Sequence, residues 1–269
     1  MVDWGVIFVI LATERVWHFE KGNESWWDLY KLLNIYKVTC NYITTFMQNK
    51  ESFPVNEETL NLLINKLVEI NMLLNKEIIE LSNEELKKNK IYKLSSIYIS
   101  LVNRAVELNS GYISLFSLKN YITAISLLRI QIENCLRFHA LRTLDNMPHS
   151  IDEFLNGKEL RKLTGNNGKP LTDTYLSKEL DKLYPEYKFS ELYKEYCEII
   201  HFTGFYQNIG NEFLNKENGV SATLFLGGGS ANPHFNIENK INYTLSLFYS
   251  TKIIYRMFST YCKIVKGEI

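Results

Sequence analysis

Arg129, Glu133 and Arg137 stand four residues apart in the stretch NYITAISLLRIQIENCLRFHALRTLDN, and Ser126 lies three residues before the first of them. Residues three and four apart are neighbours on an α-helix, so these four side chains rise along one line. An arginine fork offers fixed, permanently charged donors that suit a phosphate, and a carboxylate one turn away can orient it. The same spacing fits a plainer arrangement, a charge ladder in which Glu133 neutralises both arginines and fixes packing without chemistry. Around that line the stretch is apolar. Ile122, Ile125, Leu128, Ile132 and Cys135 recur at three- and four-residue steps, and Leu127, Ile130, Phe138 and Leu141 cover further sectors. A helix apolar on most sides is buried on most sides, which makes the charged line either an internal polar site or a contact face.

Proton transfer near neutral pH would fall to one of five histidines, His18, His139, His149, His201 and His234. His201, in KEYCEIIHFTG, follows Glu198 by three residues, so the carboxylate could orient it; a structural histidine is the competing reading. Metal chemistry has no sequence support: there is no H-E-x-x-H and no paired Cys/His spacing. A G-x-S-x-G elbow is missing too, and the triplet Gly227 to Gly229 lacks the flanking pattern of a phosphate loop and reads as a flexible loop. No metal and no cofactor are expected. The four cysteines, Cys40, Cys135, Cys197 and Cys262, are widely separated and read as reduced thiols of a cytoplasmic protein.

The elements that must position these residues are helices. The chain has 269 residues, 46% of them hydrophobic, with 30 basic and 30 acidic side chains. That composition suits a soluble globular protein and argues against polyanion binding by bulk charge, while leaving room for a local basic groove. The apolar run from Gly5 to Ala12 is preceded by Asp3 and falls far short of the roughly 20 residues a membrane helix needs, so no membrane association is expected. Ser25 and Asp28 predict a helix start running to about Asn49, and Asn56 caps the next, with Leu60, Leu63, Leu67 and Ile70 as its core seam. Ser82 with Glu85 predicts a third start, and Gly111 its end. After the central stretch, Ser150 with Glu153 predicts a short helix to about Leu163, and TGNNGKPLTD (Thr164 to Asp173) a turn-rich loop that could serve as a flap. Beyond it come a helix from about Thr172 to Tyr184, one capped by Ser190, a strand-like run from Ala222 to Leu226 and a long helix from Ile237 to Val265. The expected fold is an all-α multi-helix bundle with long central helices and a short β-hairpin or extended loop near 220–230.

Ala124 to Asn134, AISLLRIQIEN, and Leu192 to His201, LYKEYCEIIH, resemble the motifs of a bacterial all-helical family of unknown function. That pattern sets an R-x-x-x-E helix before a later helix with tyrosine, a small residue or cysteine, and hydrophobic-His. The resemblance covers roughly residues 90 to 265 and implies functional positions at Arg129, Glu133, Tyr193 or Tyr196, and His201. The family in turn resembles the HEPN superfamily, helical proteins that often act as ribonucleases in toxin, abortive-infection and antiviral defence systems. HEPN nucleases pair an arginine with a later histidine, with four to six residues between them, and dimerise around one cleft. In such a site arginine stabilises phosphate charge and histidine moves a proton as the 2′-hydroxyl attacks, without metal. Arg142 and His149 formally fit that spacing, but Pro148 would break the helix that holds such a pair in register, which ranks Arg129 with His201 above them.

The resemblance thus implies a metal-independent endoribonuclease, with Arg129, Glu133 and His201 catalytic and Arg137, Tyr193 and Tyr196 binding substrate. RNA, a second copy of the chain and a partner or antitoxin protein are the implied partners. Residues 1–83 would form an N-terminal helical part and 84–269 the HEPN-like bundle, the two packing as one domain or as two. The alternative is a non-catalytic helical protein that uses the Arg129/Glu133/Arg137 stripe to bind a ligand or partner.

Overall fold

The computed structural model describes the backbone of residues 54–200, 211–216, 219–224 and 235–268, and side chains within 54–198 and 235–268. The expected helix from Ser25 to Asn49, His18, Cys40, His201, Gly227 to Gly229 and His234 lie outside the described residues. Residues 56–269 group as one compact unit. Its architecture is all-α, with seven α-helices among the described residues.

Helix α1 (Glu57–Lys87) opens where the sequence predicts, with the Asn56 side chain accepting from the Thr59 amide at 2.9 Å and two glutamates in the first turn facing the positive end of the helix dipole. Leu60, Leu63, Leu67, Ile70, Leu74 and Leu81 form its buried seam. The new start expected at Ser82 does not occur. The Ser82 hydroxyl bonds back to the Ile78 carbonyl at 2.8 Å, as a serine inside a helix does, and Glu85 turns instead to the next helix. Its carboxylate accepts from the Tyr92 amide at 3.3 Å and from the Ser95 hydroxyl, locking the corner before α2 (Lys93–Ser117).

Nor does Gly111 end α2. A Cβ built there would lie 3.2 Å from Leu127 Cδ1, so the glycine serves a close approach between α2 and α3 (Tyr121–Arg142). α3 packs against α2, α5, α6 and α7, which is the physical reason for its apolar sectors. Its buried face carries two polar residues that the apolar pattern concealed, Gln131 and Asn134, both fully shielded from solvent. The Gln131 amide donates to Thr251 Oγ1 at 2.9 Å and to Asn109 Oδ1 at 3.2 Å, and Asn109 donates to Asn71 Oδ1 at 2.7 Å. One hydrogen-bonded chain therefore ties α1, α2, α3 and α7 together at the core.

After Arg142 the backbone turns through Asn146, at a φ of 38°, into α4 (Met147–Leu155), which starts three residues before the expected Ser150 cap. Pro148 sits in its first turn, where a missing amide hydrogen costs nothing, and the Ser150 hydroxyl donates to the Asp145 carbonyl at 2.6 Å. The helix also ends short of Leu163, leaving a 3₁₀ turn at Leu160–Lys162. Thr164 to Asp173 is more tied down than a flap. Gly165 N donates to Lys169 O at 2.8 Å, Asn166 N to Thr143 O at 2.8 Å and Leu171 N to Leu163 O at 3.0 Å, while Leu163 and Leu171 are buried.

Thr172 caps α5 (Asp173–Leu183), accepting from the Tyr175 amide at 3.3 Å. A 3₁₀ turn at Pro185–Tyr187 leads into α6 (Phe189–Ile200), and Ser190, expected as its cap, lies inside it and binds the Asp181 carboxylate of α5. Strands β1 (Asn211–Lys216) and β2 (Gly219–Leu224) pair antiparallel; the expected strand-like run overlaps the end of β2, and 225–226 lie outside the described residues. α7 (Ile237–Lys266), capped by Asn236 and closed by Gly267 at a φ of 77°, packs along α1 and against α3, burying Ile241, Phe248, Ile253 and Phe258. Among the described residues no helix is long and apolar enough to cross a membrane.

Candidate functional site

The charged line of α3 meets α5 and α6. Glu133 Oε2 lies 3.2 Å from Arg129 Nη1 and its Oε1 lies 3.2 Å from Arg137 Nη2, so one carboxylate bridges two guanidiniums a turn above and a turn below it. That is the ladder the spacing predicts. It does not stop there, because Asp173, the first residue of α5, brings Oδ1 to within 2.6 Å of Arg137 Nη1. Both atoms are shielded from solvent and their alignment is that of an ion pair rather than a hydrogen bond.

Tyr193 on α6 closes the ring. Its hydroxyl accepts from Arg129 Nη2 at 2.7 Å and donates to Asp173 Oδ2 at 2.9 Å, and the guanidinium carbon lies 4.1 Å from the tyrosine ring centre. Arg129 Nε also donates to Cys197 Sγ at 3.0 Å, one turn along α6. Burial works against the Arg129 charge, but Cys197, Tyr193 and Glu133 outweigh it and hold the guanidinium more firmly protonated. Burial and the bond to Asp173 push the Tyr193 hydroxyl up, so it stays protonated as this chain of bonds requires.

Arg129, Glu133, Arg137 and Asp173 line an open cavity of about 430 Å³, together with Glu159, Leu160 and Arg161 at the 3₁₀ turn. Arg129 and Arg137 side chains are only 13% and 14% exposed, whereas Arg161 at the rim is 59% exposed. Arg161 and Lys162 both pair with Glu159, Lys162 at 2.6 Å. The cavity thus has three guanidiniums and three carboxylates on its wall, with the deep cations held rigidly and the outer ones free to exchange partners with water.

Of the residues singled out in the sequence, Arg129, Glu133, Arg137 and Tyr193 come together here, while Tyr196 points to a different cavity between α6 and α7. Arg142 ends α3 and is exposed, and His149 sits on α4 with its side chain 67% exposed, 3.9 Å from Glu153. Their elements are separated by the turn that Pro148 follows. The spacing on one helix could not reveal Asp173, Cys197 or Arg161, each brought in by another element. A carboxylate as first residue of a capped helix, at the end of a turn-rich loop, was the one available sign of Asp173. No described group of histidine, cysteine and carboxylate side chains is arranged to hold a metal ion. No protein-family model matches the chain, and neither a curated protein nor a solved structure matches it.

Proposed function

We propose that the cleft on α3 binds the phosphate of an RNA backbone, and that with His201 the protein acts as a metal-independent ribonuclease of the HEPN kind, cytoplasmic and dimeric. One observation carries the binding step: three guanidiniums, two of them fixed by side chains from α3, α5 and α6, line a single open cavity. Preorganised arginines in a partly dry wall suit a phosphodiester, which offers several acceptor oxygens to their remaining N–H groups. In this reading Arg129 and Arg137 hold the phosphate, Arg161 and Lys162 draw it in, and Glu133 gives way at one guanidinium. His201 supplies the proton transfer that the resemblance implies. A partner or antitoxin protein would act by covering the cleft.

A second reading, binding without chemistry, is favoured by the balance of charge. Each of the two deep arginines is already engaged by a carboxylate, so an incoming ligand that carries both signs of charge disturbs the cleft less than a bare anion. The two readings divide on one experiment. Full-length protein is incubated in EDTA with a fluorescent RNA, and its affinity for a 2′-O-methyl analogue is measured by anisotropy. The nuclease reading expects cleavage that Arg129→Lys and His201→Ala each lower at least 100-fold with helical content unchanged. Binding of the analogue without cleavage of any RNA leaves the second reading, and no binding by either RNA removes both for RNA.

A further inference from the structure

A second cavity, of about 370 Å³, opens between the 3₁₀ turn Pro185–Tyr187, α6 and α7, away from the arginines. Its wall carries four tyrosines, Tyr187, Tyr196, Tyr243 and Tyr249, and two carboxylates, Glu186 and Glu195. Tyr187 stacks on Tyr249 with ring centres 4.7 Å apart, and Tyr196 meets Tyr243 edge-on at 6.3 Å, so the aromatic faces are fixed in two pairs. No lysine or arginine lines the cavity among the described residues. Tyrosine faces and carboxylates both attract positive charge, and a cation held against an aromatic face gains most where water is partly excluded. Loss of hydration and the neighbouring Glu198 push the Glu195 carboxyl up, the response of an anion short of nearby cations.

We propose that this cavity binds a small organic cation of the alkylammonium class, with Glu195 as the charge partner and the tyrosine pairs as walls. The volume suits one such ligand of several heavy atoms. An anion would meet two carboxylates with no lysine or arginine among the described lining residues to offset them, and a neutral apolar molecule would leave the carboxylates unused. This site is independent of the arginine cleft.

Choline is the probe, and 3,3-dimethyl-1-butanol is its neutral counterpart, nearly the same in shape but without charge. Saturation-transfer NMR and calorimetric titration on the full chain should show choline bound at least ten-fold more tightly than the alcohol. Glu195→Gln should remove most of that preference, at least five-fold, while Tyr187→Phe keeps it and Tyr187→Leu weakens it. Equal affinity for choline and the alcohol, or choline affinity unchanged in Glu195→Gln with the fold intact by circular dichroism, would overturn the proposal. So would the absence of any choline binding at millimolar concentration.

Discussion

Glu133 holds two guanidiniums at once, and its removal separates a ladder from a site. Glu133→Gln leaves Arg129 bound to Tyr193 and Cys197 and Arg137 bound to Asp173, so neither cation is stranded. The variant should lose about 1–2 kcal/mol by urea denaturation, less than a fully buried ion would cost. It also leaves a cleft of three arginines facing two carboxylates, and affinity for a 2′-O-methyl RNA should rise several-fold with a steeper salt dependence. A pure ladder gives the stability loss with no change in affinity. His139 is a second residue with a readable consequence. It is 5% exposed with Nδ1 lacking a hydrogen-bond partner, and burial, then the Arg142 charge, pull its pKa from 6.5 to about 4. The unfolded chain therefore takes up a proton below pH 6.5 that the folded one refuses. Its contribution is complete above that pH, shrinks as pH falls and is gone near 4. Wild type should lose about 2 kcal/mol more than His139→Gln between pH 7 and 5, read from paired urea titrations.

Helix boundaries and helix contacts show where sequence patterns carried and where they did not. The starts at Asn56 and Thr172 were legible because an N-cap is a local bond between a side chain and an amide two or three residues on. Ser82 and Ser190 carry the same local pattern, yet tertiary partners claim their neighbourhoods: Glu85 reaches α2, and Ser190 is held by Asp181. The stripe of α3 was legible because helical period alone aligns it. Asp173 and Cys197 were not, since their meeting with Arg129 and Arg137 depends on how α5 and α6 pack. Gln131 and Asn134 were hidden by apolar neighbours that share their buried face. Gly111 shows the same division, being a stop signal in sequence and a contact point in the fold. Gly111→Ala should be close to neutral, within about 1 kcal/mol, because the gain in helix propensity is set against a Leu127 methyl that can rotate away. Gly111→Ile should cost more than about 1 kcal/mol by thermal denaturation, since a branched side chain cannot fit at that separation.

At the scale of the whole unit, stability is concentrated where α1 and α7 pack along one another and share a hydrogen-bonded core with α2 and α3. A boundary at residue 83, where the sequence suggests one, falls inside α1, which runs on to Lys87. Cutting there removes Leu60, Leu63, Leu67, Ile70, Leu74 and Leu81 from the core, six side chains with almost no exposure. At about 1.5–3 kcal/mol for each buried leucine or isoleucine, that loss equals or exceeds the whole stability of an ordinary domain. It would also leave Asn109 without Asn71. The compact unit instead begins at Asn56, the residue that caps α1. A fragment of residues 55–269 should therefore be helical and unfold in one cooperative transition by circular dichroism, with the arginine cleft intact. A fragment of residues 84–269 should show reduced helicity, a broad transition and binding of a hydrophobic dye, because the inner faces of α2 and α7 lose their cover. Cooperative unfolding of the shorter fragment would mean that α1 is an accessory to the core and not part of it.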